Sequence, residues 1–288
     1  PSNSPPPSPS PSPPPSGGAS CEYSGIAGTC VDTNVLNACA GGSTVTGKCV
    51  GRSNIKCCLP VARLPAATSG WTKLPADALA SGYNSTSLRY DIAPHYQDLY
   101  NAVHAIGGKV SSAGGRRNLS AKVTAGRSPT SLHYLGRAFD LATPSGMLKP
   151  SRDQYLCVEI DSKHWTVWCK STDPNVPEVT LECAVWSRGK MTSESWSGRA
   201  FNFTALAGTF GFTPIGARSC FPGTYLCAEW WHFQYTADLV RGVTTYGDEL
   251  LKIYSKSTME KTHKTFWKNV KDKKYGIMEK WATQLGNG

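Results

Sequence analysis

The sequence predicts an α+β protein with a small disulfide-rich module ahead of its main domain. Three observations carry this. Between about residues 76 and 250, short runs rich in β-branched and aromatic residues accompany a well-formed amphipathic helix pattern. Six of the eleven cysteines fall within Cys21–Cys58. Residues 1–16, PSNSPPPSPSPSPPPS, hold nine of the twenty prolines and no aromatic or charged residue, so they cannot contribute to a core.

In chain order, residues 1–20 form a Pro/Ser-rich linker, expected as an extended polyproline-II spacer. Its Ser-Pro repeats resemble hydroxyproline-rich linkers of plant and green-algal extracellular proteins. Residues 21–58 form the cysteine-rich module. So short a segment, rich in Gly, Ser and Thr, needs staples to hold a fold, and three disulfides are expected among 15 formal connectivities. Zinc is the competing use of clustered cysteines, disfavoured because the segment has no CxxC pair and no His. With its GTC, GKC and IKCC stretches and Gly51, it resembles small cysteine-rich modules that precede wall-active hydrolases in secreted eukaryotic proteins. That implies a binding or spacer role. Residues 59–75 read as a second linker, 76–250 as the main domain, and 251–288 as a basic helical extension.

Within the main domain, PHYQDLYNAVHAIGG predicts a helix. Pro94 lies in its first turn, Tyr96, Leu99, Val103 and Ile106 share one face, and Gly107–Gly108 stop it. His95 and His104 belong to no motif and read as packing or surface residues. KVSSAGGRR reads as a strand and turn. RAFDLAT, YLCVEID, WTVWCK, VTLECAVW and AEWWHFQYT read as strands, and RAFNFTALAGTFGF as a short helix. In the extension, Phe266, Val270, Ile277, Trp281 and Leu285 recur at helical spacing, interrupted at Gly276. Its apolar face is expected on the domain and its lysines in solvent, with membrane-surface binding as the alternative.

Cysteine density predicts an oxidising compartment, hence a secreted protein. Three N-x-[ST] sequons, at Asn84, Asn118 and Asn202, agree with an extracellular glycoprotein. The chain opens at Pro1 without Met or an apolar leader, as expected of a processed chain or a fragment. No apolar run is long enough to span a membrane. The net charge is +10, half of it from Glu249 to Gly288, where nine Lys face four acidic residues. That balance suits anionic wall polymers or glycans as partners. Nucleic acid is not expected, because no binding motif appears and the tail has no Arg for base readout. Cys220 and Cys227 are expected to pair, as are two of Cys157, Cys169 and Cys183, leaving one cysteine free. The protein is expected to be a monomer.

Two stretches carry chemistry. SLHYLGRAFD offers His133 and Asp140, and AEWWHFQY offers Glu229 and His232. A catalytic zinc site keeps three protein ligands and an open position, and His133, Asp140 and His232 can supply that set. A nearby carboxylate must take a proton from water and pass it to the leaving amine, and Glu229 is the candidate. Gly136 permits a tight turn between the first two ligands, and Trp230 and Trp231 would exclude water. In a regular strand Glu229 and His232 would point to opposite faces, so a bulge or turn is required between them.

Ser131, His133, Gly136, Ala138 and Asp140 make the pattern S-x-H-x-x-G-x-A-x-D; Glu229, Trp231 and His232 make E-x-W-H about 90 residues later. Together they resemble the zinc D-Ala-D-Ala carboxypeptidase and dipeptidase family, across roughly residues 76–250. The resemblance implies a central antiparallel sheet with flanking helices, shared with the Hedgehog signalling domain. It implies Zn²⁺ on His133, Asp140 and His232, and Glu229 as general base and acid. It also implies an Arg upstream of the first motif that binds substrate near the scissile bond. GGRR offers Arg116 and Arg117, with Arg117 favoured, and Arg127 ranks behind both. Ser131 would support the site by hydrogen bonding. The implied activity is hydrolysis of a peptide bond involving a D-amino acid in bacterial peptidoglycan. The alternatives are a zinc-containing binding or signalling domain without turnover, and a peptidase acting on the host's own extracellular matrix.

Overall fold

A computed structural model of the chain describes residues 18–23, 26–32, 42–45, 49–50, 54–60, 70–79, 82–121, 130–239, 244, 246–255 and 257–258. The proline-rich segment, Arg127, His263 and the expected tail helix lie outside the described residues. The chain divides into two compact units, Pro1–Val61 and Ala62–Gly288.

In the first unit, β1 (Ser20–Tyr23), β2 (Ile26–Asp32), β3 (Gly42–Val45) and β4 (Ile55–Pro60) form one antiparallel sheet in the order β1-β2-β4-β3. Cys21–Cys57 and Cys30–Cys49 are disulfide-bonded, and so is Cys58. Cys30 sits opposite Cys57 in the ladder, so the two bridges leave from the two members of one rung of a sheet that has little apolar mass of its own.

The second unit begins earlier than the sequence suggests. Trp71–Pro75, read above as the end of a linker, is β5, paired antiparallel with β6 (Ser85–Arg89), and Leu74 is fully in the core. Flanking Pro and Gly residues disguise a strand that buries one side chain deeply. Helix α1 (Ala93–Ala105) follows as the periodicity predicts, with Pro in its first turn and Tyr96, Leu99 and Val103 buried. KVSSAGGRR makes only isolated bridges, at Ser111, Ser112 and Gly114, in place of a regular strand.

Next come β7 (Ala138–Asp140), β8 (Tyr155–Asp161), β9 (His164–Lys170), β10 (Glu178–Ser187), β11 (Lys190–Asn202), α2 (Phe203–Thr209), β12 (Phe212–Pro214), β13 (His232–Tyr235) and α3 (Tyr246–Leu251). The strands form a four-stranded sheet, β10-β11-β9-β8, a three-stranded sheet, β12-β13-β7, and the β5-β6 pair, all with antiparallel ladders. The α+β class holds, with more sheet than helix. Phe139 anchors the core between helix α1 and its own three-stranded sheet, its ring meeting Tyr96 at 5.0 Å, Phe212 at 5.2 Å and Phe233 at 5.7 Å. Among the described residues, no helix is long and apolar enough to cross a membrane.

Cys220–Cys227 forms as expected, but Cys157, Cys169 and Cys183 are all free and buried, which corrects the expected pair. The strand register explains why. Cys157 faces Val167 and Cys169 faces Tyr155, so the two cysteines are diagonal neighbours. Diagonal positions are about 7–8 Å apart, beyond disulfide reach. Cys183 packs with Leu156 and Ala200 in a separate cluster. Burial pushes the Cys169 and Cys183 thiols up to about 11. We expect iodoacetamide to leave these three thiols unlabelled in native protein at pH 8 and to label all three in denaturant. Peptide mass spectrometry reads this directly, and native labelling of any of them would count against the packing described here.

Candidate metal centre

His133, Asp140 and His232 come together with their ligand atoms within 4.8 Å of one another. Local structure places each one. Ser131 caps a short 3-10 turn, Leu132–Leu135, by accepting a bond from the His133 backbone N–H, and so fixes the turn that carries His133. Gly136 ends that turn at φ +64°, and the chain then enters β7, whose last residue is Asp140. Strand β13 pairs with β7 so that His232 sits directly opposite Asp140. Residues 92 apart in sequence thereby share one rung.

The donor atoms converge so that they could hold one ion between them. His133 Nδ1 lies 2.5 Å from the Gly115 carbonyl, which assigns it the proton and leaves Nε2 facing the cluster. His133 Nε2 is 3.1 Å from Asp140 Oδ2 and 3.2 Å from His232 Nδ1. His232 Nδ1 is 2.9 Å from Asp140 Oδ1, and its Nε2 is 3.4 Å from Gln234 Oε1. Two imidazoles and a carboxylate, with outer nitrogens held by a carbonyl and an amide, fit Zn²⁺ in donor type and in supporting bonds. Burial opposes the charge on Asp140, but the two histidines outweigh it and hold the carboxyl well below the usual range. Burial likewise depresses the His232 imidazole, yet bonding to Asp140 and the Glu229 charge leave its pKa raised.

Glu229 stands beside this set and outside it. It is the non-glycine residue at φ +56° in the turn that leads into β13, and its carbonyl accepts a bond from the His232 N–H at 3.0 Å. This turn supplies the reversal that a regular strand could not. Glu229, 5% exposed, is ion-paired through its carboxylate with Arg218. Arg218 was not singled out in the sequence, where no motif marks it. It lies two residues before the Cys220–Cys227 clip, and its own N–H bonds the Cys227 carbonyl. Trp231 is buried against Tyr225 and Trp230, and its carbonyl takes a bond from Leu141 N–H, which ties the two motifs again.

A cavity of about 340 Å³ opens beside His133 and Asp140, lined by residues of the GGRR segment, Asn118, Ser120 and Ala121. Both candidate arginines reach it. Arg116 stacks on Trp71 at 4.6 Å, and Arg117 lies over Tyr134 at 5.5 Å. The segment is pinned to the ligands themselves, since Arg117 N–H bonds the His133 carbonyl and Gly114 bridges to Asp140. Asn118, one of the sequons, opens onto the same cavity.

Behind the site lies a buried ionic cluster that no motif marks: Arg89, Arg137 and Glu249. Burial disfavours the Glu249 carboxylate, but Lys252, Arg137 and Arg89 outweigh it and bring its pKa from 4.5 to about 2. A lowered folded-state pKa stabilises the fold above the unfolded value and ceases to do so as pH falls toward the folded one. We therefore expect stability to drop between pH 4.5 and 2 by up to about 3 kcal/mol from this group. Denaturant midpoints over that range, compared with Glu249→Gln, isolate its share, and equal slopes in the two proteins would refute the assignment.

Compared with protein-family models, curated proteins and solved structures, the chain matches none.

Proposed function

We propose that this chain is a secreted zinc metallopeptidase of the Hedgehog/D-Ala-D-Ala peptidase type, cleaving a bond that involves a D-amino acid in bacterial peptidoglycan stem peptides. One observation carries the reading: a carboxylate, Glu229, is built against a His/Asp/His donor set without belonging to it. A purely structural metal site has no use for such a group. His133, Asp140 and His232 would hold the ion. Bound zinc would acidify water and polarise a carbonyl. Glu229 would take the proton and return it to the leaving amine. Arg116 or Arg117, on the cavity wall, would hold the substrate and the charge that develops at its carbonyl. The disulfides fit an extracellular setting. The basic surface and the cysteine-rich module would keep the enzyme on an anionic wall.

One observation favours a second reading, a zinc-stabilised binding domain without turnover: Arg218 occupies the Glu229 carboxylate. The two separate on one experiment. Peptidoglycan is incubated with zinc-loaded protein, with chelated protein, and with chelated protein given zinc again, and soluble fragments are weighed by mass spectrometry. New fragments in the first and third samples alone are expected, and their masses name the bond. Folded, zinc-loaded protein that releases nothing overturns the peptidoglycan reading, and matrix glycoproteins become the next substrate to try.

A further inference from the structure

The described C-terminal helix forms a frame for the metal centre. Glu249, on α3, sends one carboxylate oxygen, Oε2, to two arginines at once. Arg89 Nη1 is 2.7 Å away and Arg137 Nη1 is 2.8 Å away. Both arginines are fully buried, and Glu249 is 2% exposed. Each arginine is bound to a different part of the candidate site. Arg137 lies in the seven-residue step from His133 to Asp140. Its Nε donates to the Tyr235 carbonyl of β13 at 3.2 Å, and its own carbonyl accepts from Tyr235 N–H at 2.7 Å. Its remaining nitrogen, Nη2, pairs with Asp238. Arg137 thus spans the two strands that carry Asp140 and His232. Arg89 bonds Asp91 through Nε and Nη2, and its backbone N–H bonds the Gly136 carbonyl at 3.0 Å, at the end of the turn that bears His133.

The rest of α3 meets the same turn from behind. Tyr246, fully buried, donates to the Ser131 carbonyl at 2.9 Å, and Tyr246 and Leu250 pack with Leu132, Tyr134 and Leu135. The His133 turn is therefore held between the cavity on one side and α3 on the other. A carboxylate buried with two guanidiniums is costly for a fold to keep, and removing one partner leaves buried charge unmatched. Its placement on the residues between the three donors gives it a consequence for their geometry.

We propose that Glu249 is a positioning residue for the metal centre, acting through Arg137 and Arg89 to set the spacing of His133, Asp140 and His232. The inference rests on the reading of those three as metal ligands, and the test keeps the two apart. Full-length protein is freed of metal and titrated with Co²⁺, reading the visible ligand-field bands, as wild type, Glu249→Gln and Asp238→Asn. Glu249→Gln is isosteric, and Asp238, whose side chain is 49% exposed, releases Arg137 without opening the core. We expect Glu249→Gln to bind Co²⁺ about ten- to a hundredfold more weakly, with altered bands, while its far-UV circular dichroism remains that of the wild type. Asp238→Asn should weaken binding a few-fold in the same direction. A helix that merely added stability would lower the melting temperature and leave the bands of folded protein unchanged. Wild-type affinity and bands in folded Glu249→Gln overturn the proposal. If that variant does not fold, wild-type affinity and bands in Asp238→Asn overturn it instead. Wild-type protein that takes up no Co²⁺ removes the metal-centre reading and this one together.

Discussion

Glu229→Gln is expected to lower peptide hydrolysis by about 10²–10⁴-fold while zinc stays bound at the wild-type ratio. The split follows from where the residue sits. The ligand atoms of His133, Asp140 and His232 form a group without it. Its backbone makes the turn that presents His232, and Gln preserves that turn at an equal backbone cost. The proton-accepting oxygen and the charge facing Arg218 are lost. Metal content by mass spectrometry and initial rates on the released stem peptide measure the two halves separately. A rate within a few-fold of wild type would take the general-base role from Glu229. Loss of zinc along with rate would mean that it helps hold the ion. Arg218 gives a further readout. In the Gln variant it loses its charged partner, so a further rise in KM on replacing Arg218 by Lys in that background would place Arg218 near the bound peptide.

Gly136→Ala should destabilise the protein by about 2–5 kcal/mol and weaken metal binding with it. Two costs add. The residue is at φ +64°, where an L side chain costs about 1–2 kcal/mol. A Cβ there would also lie 2.3 Å from the Trp71 ring and 2.7 Å from the Arg89 backbone N, an overpacking penalty of about 1–3 kcal/mol. Trp71 could tilt, but the Arg89 backbone is held by the buried ionic cluster and cannot retreat. Gly208→Ala makes the comparison. It lies in α2 with nothing within 4 Å of the added carbon, so it should be neutral or stabilising by up to about 1 kcal/mol. Urea midpoints for the two variants test both signs. Equal midpoints would show that the Gly136 turn relaxes freely.

These positions show what was legible in the sequence. His133 and Asp140 could be paired because their spacing is local, with a turn, a glycine and a short strand between them, whereas His232, 92 residues from Asp140, was joined to them only through the resemblance of the second motif. The fold class, helix α1 and strands β8, β9 and β10 were legible from periodicity and β-branched content. Strand β11 was not, because KMTSESWSGRAFN is polar on both faces. It earns its place through ten rungs with β10 rather than through burial. Strand β5 hid behind flanking Pro and Gly. The free cysteines depended on register, which odd-and-even counting does not contain. Arg89, Arg137 and Glu249 were invisible for a deeper reason. A buried ion pair is a long-range fact, and here its members are 112 and 160 residues apart. The Arg218–Glu229 pair is of the same kind: its members are eleven residues apart, with a disulfide closing the loop between them.

The pairing of β7 with β13 carries one more implication. Asp140 meets His232 on a three-rung ladder, and a slip of one residue would put Phe233 opposite Asp140 and turn the imidazole to the other face. A slipped molecule has no complete set of donors. An ion that binds only the complete set lowers the free energy of the correctly registered form alone. Metal uptake then acts as a selector among strand alignments, and zinc present during refolding should raise the yield of native protein beyond what its effect on the finished fold requires.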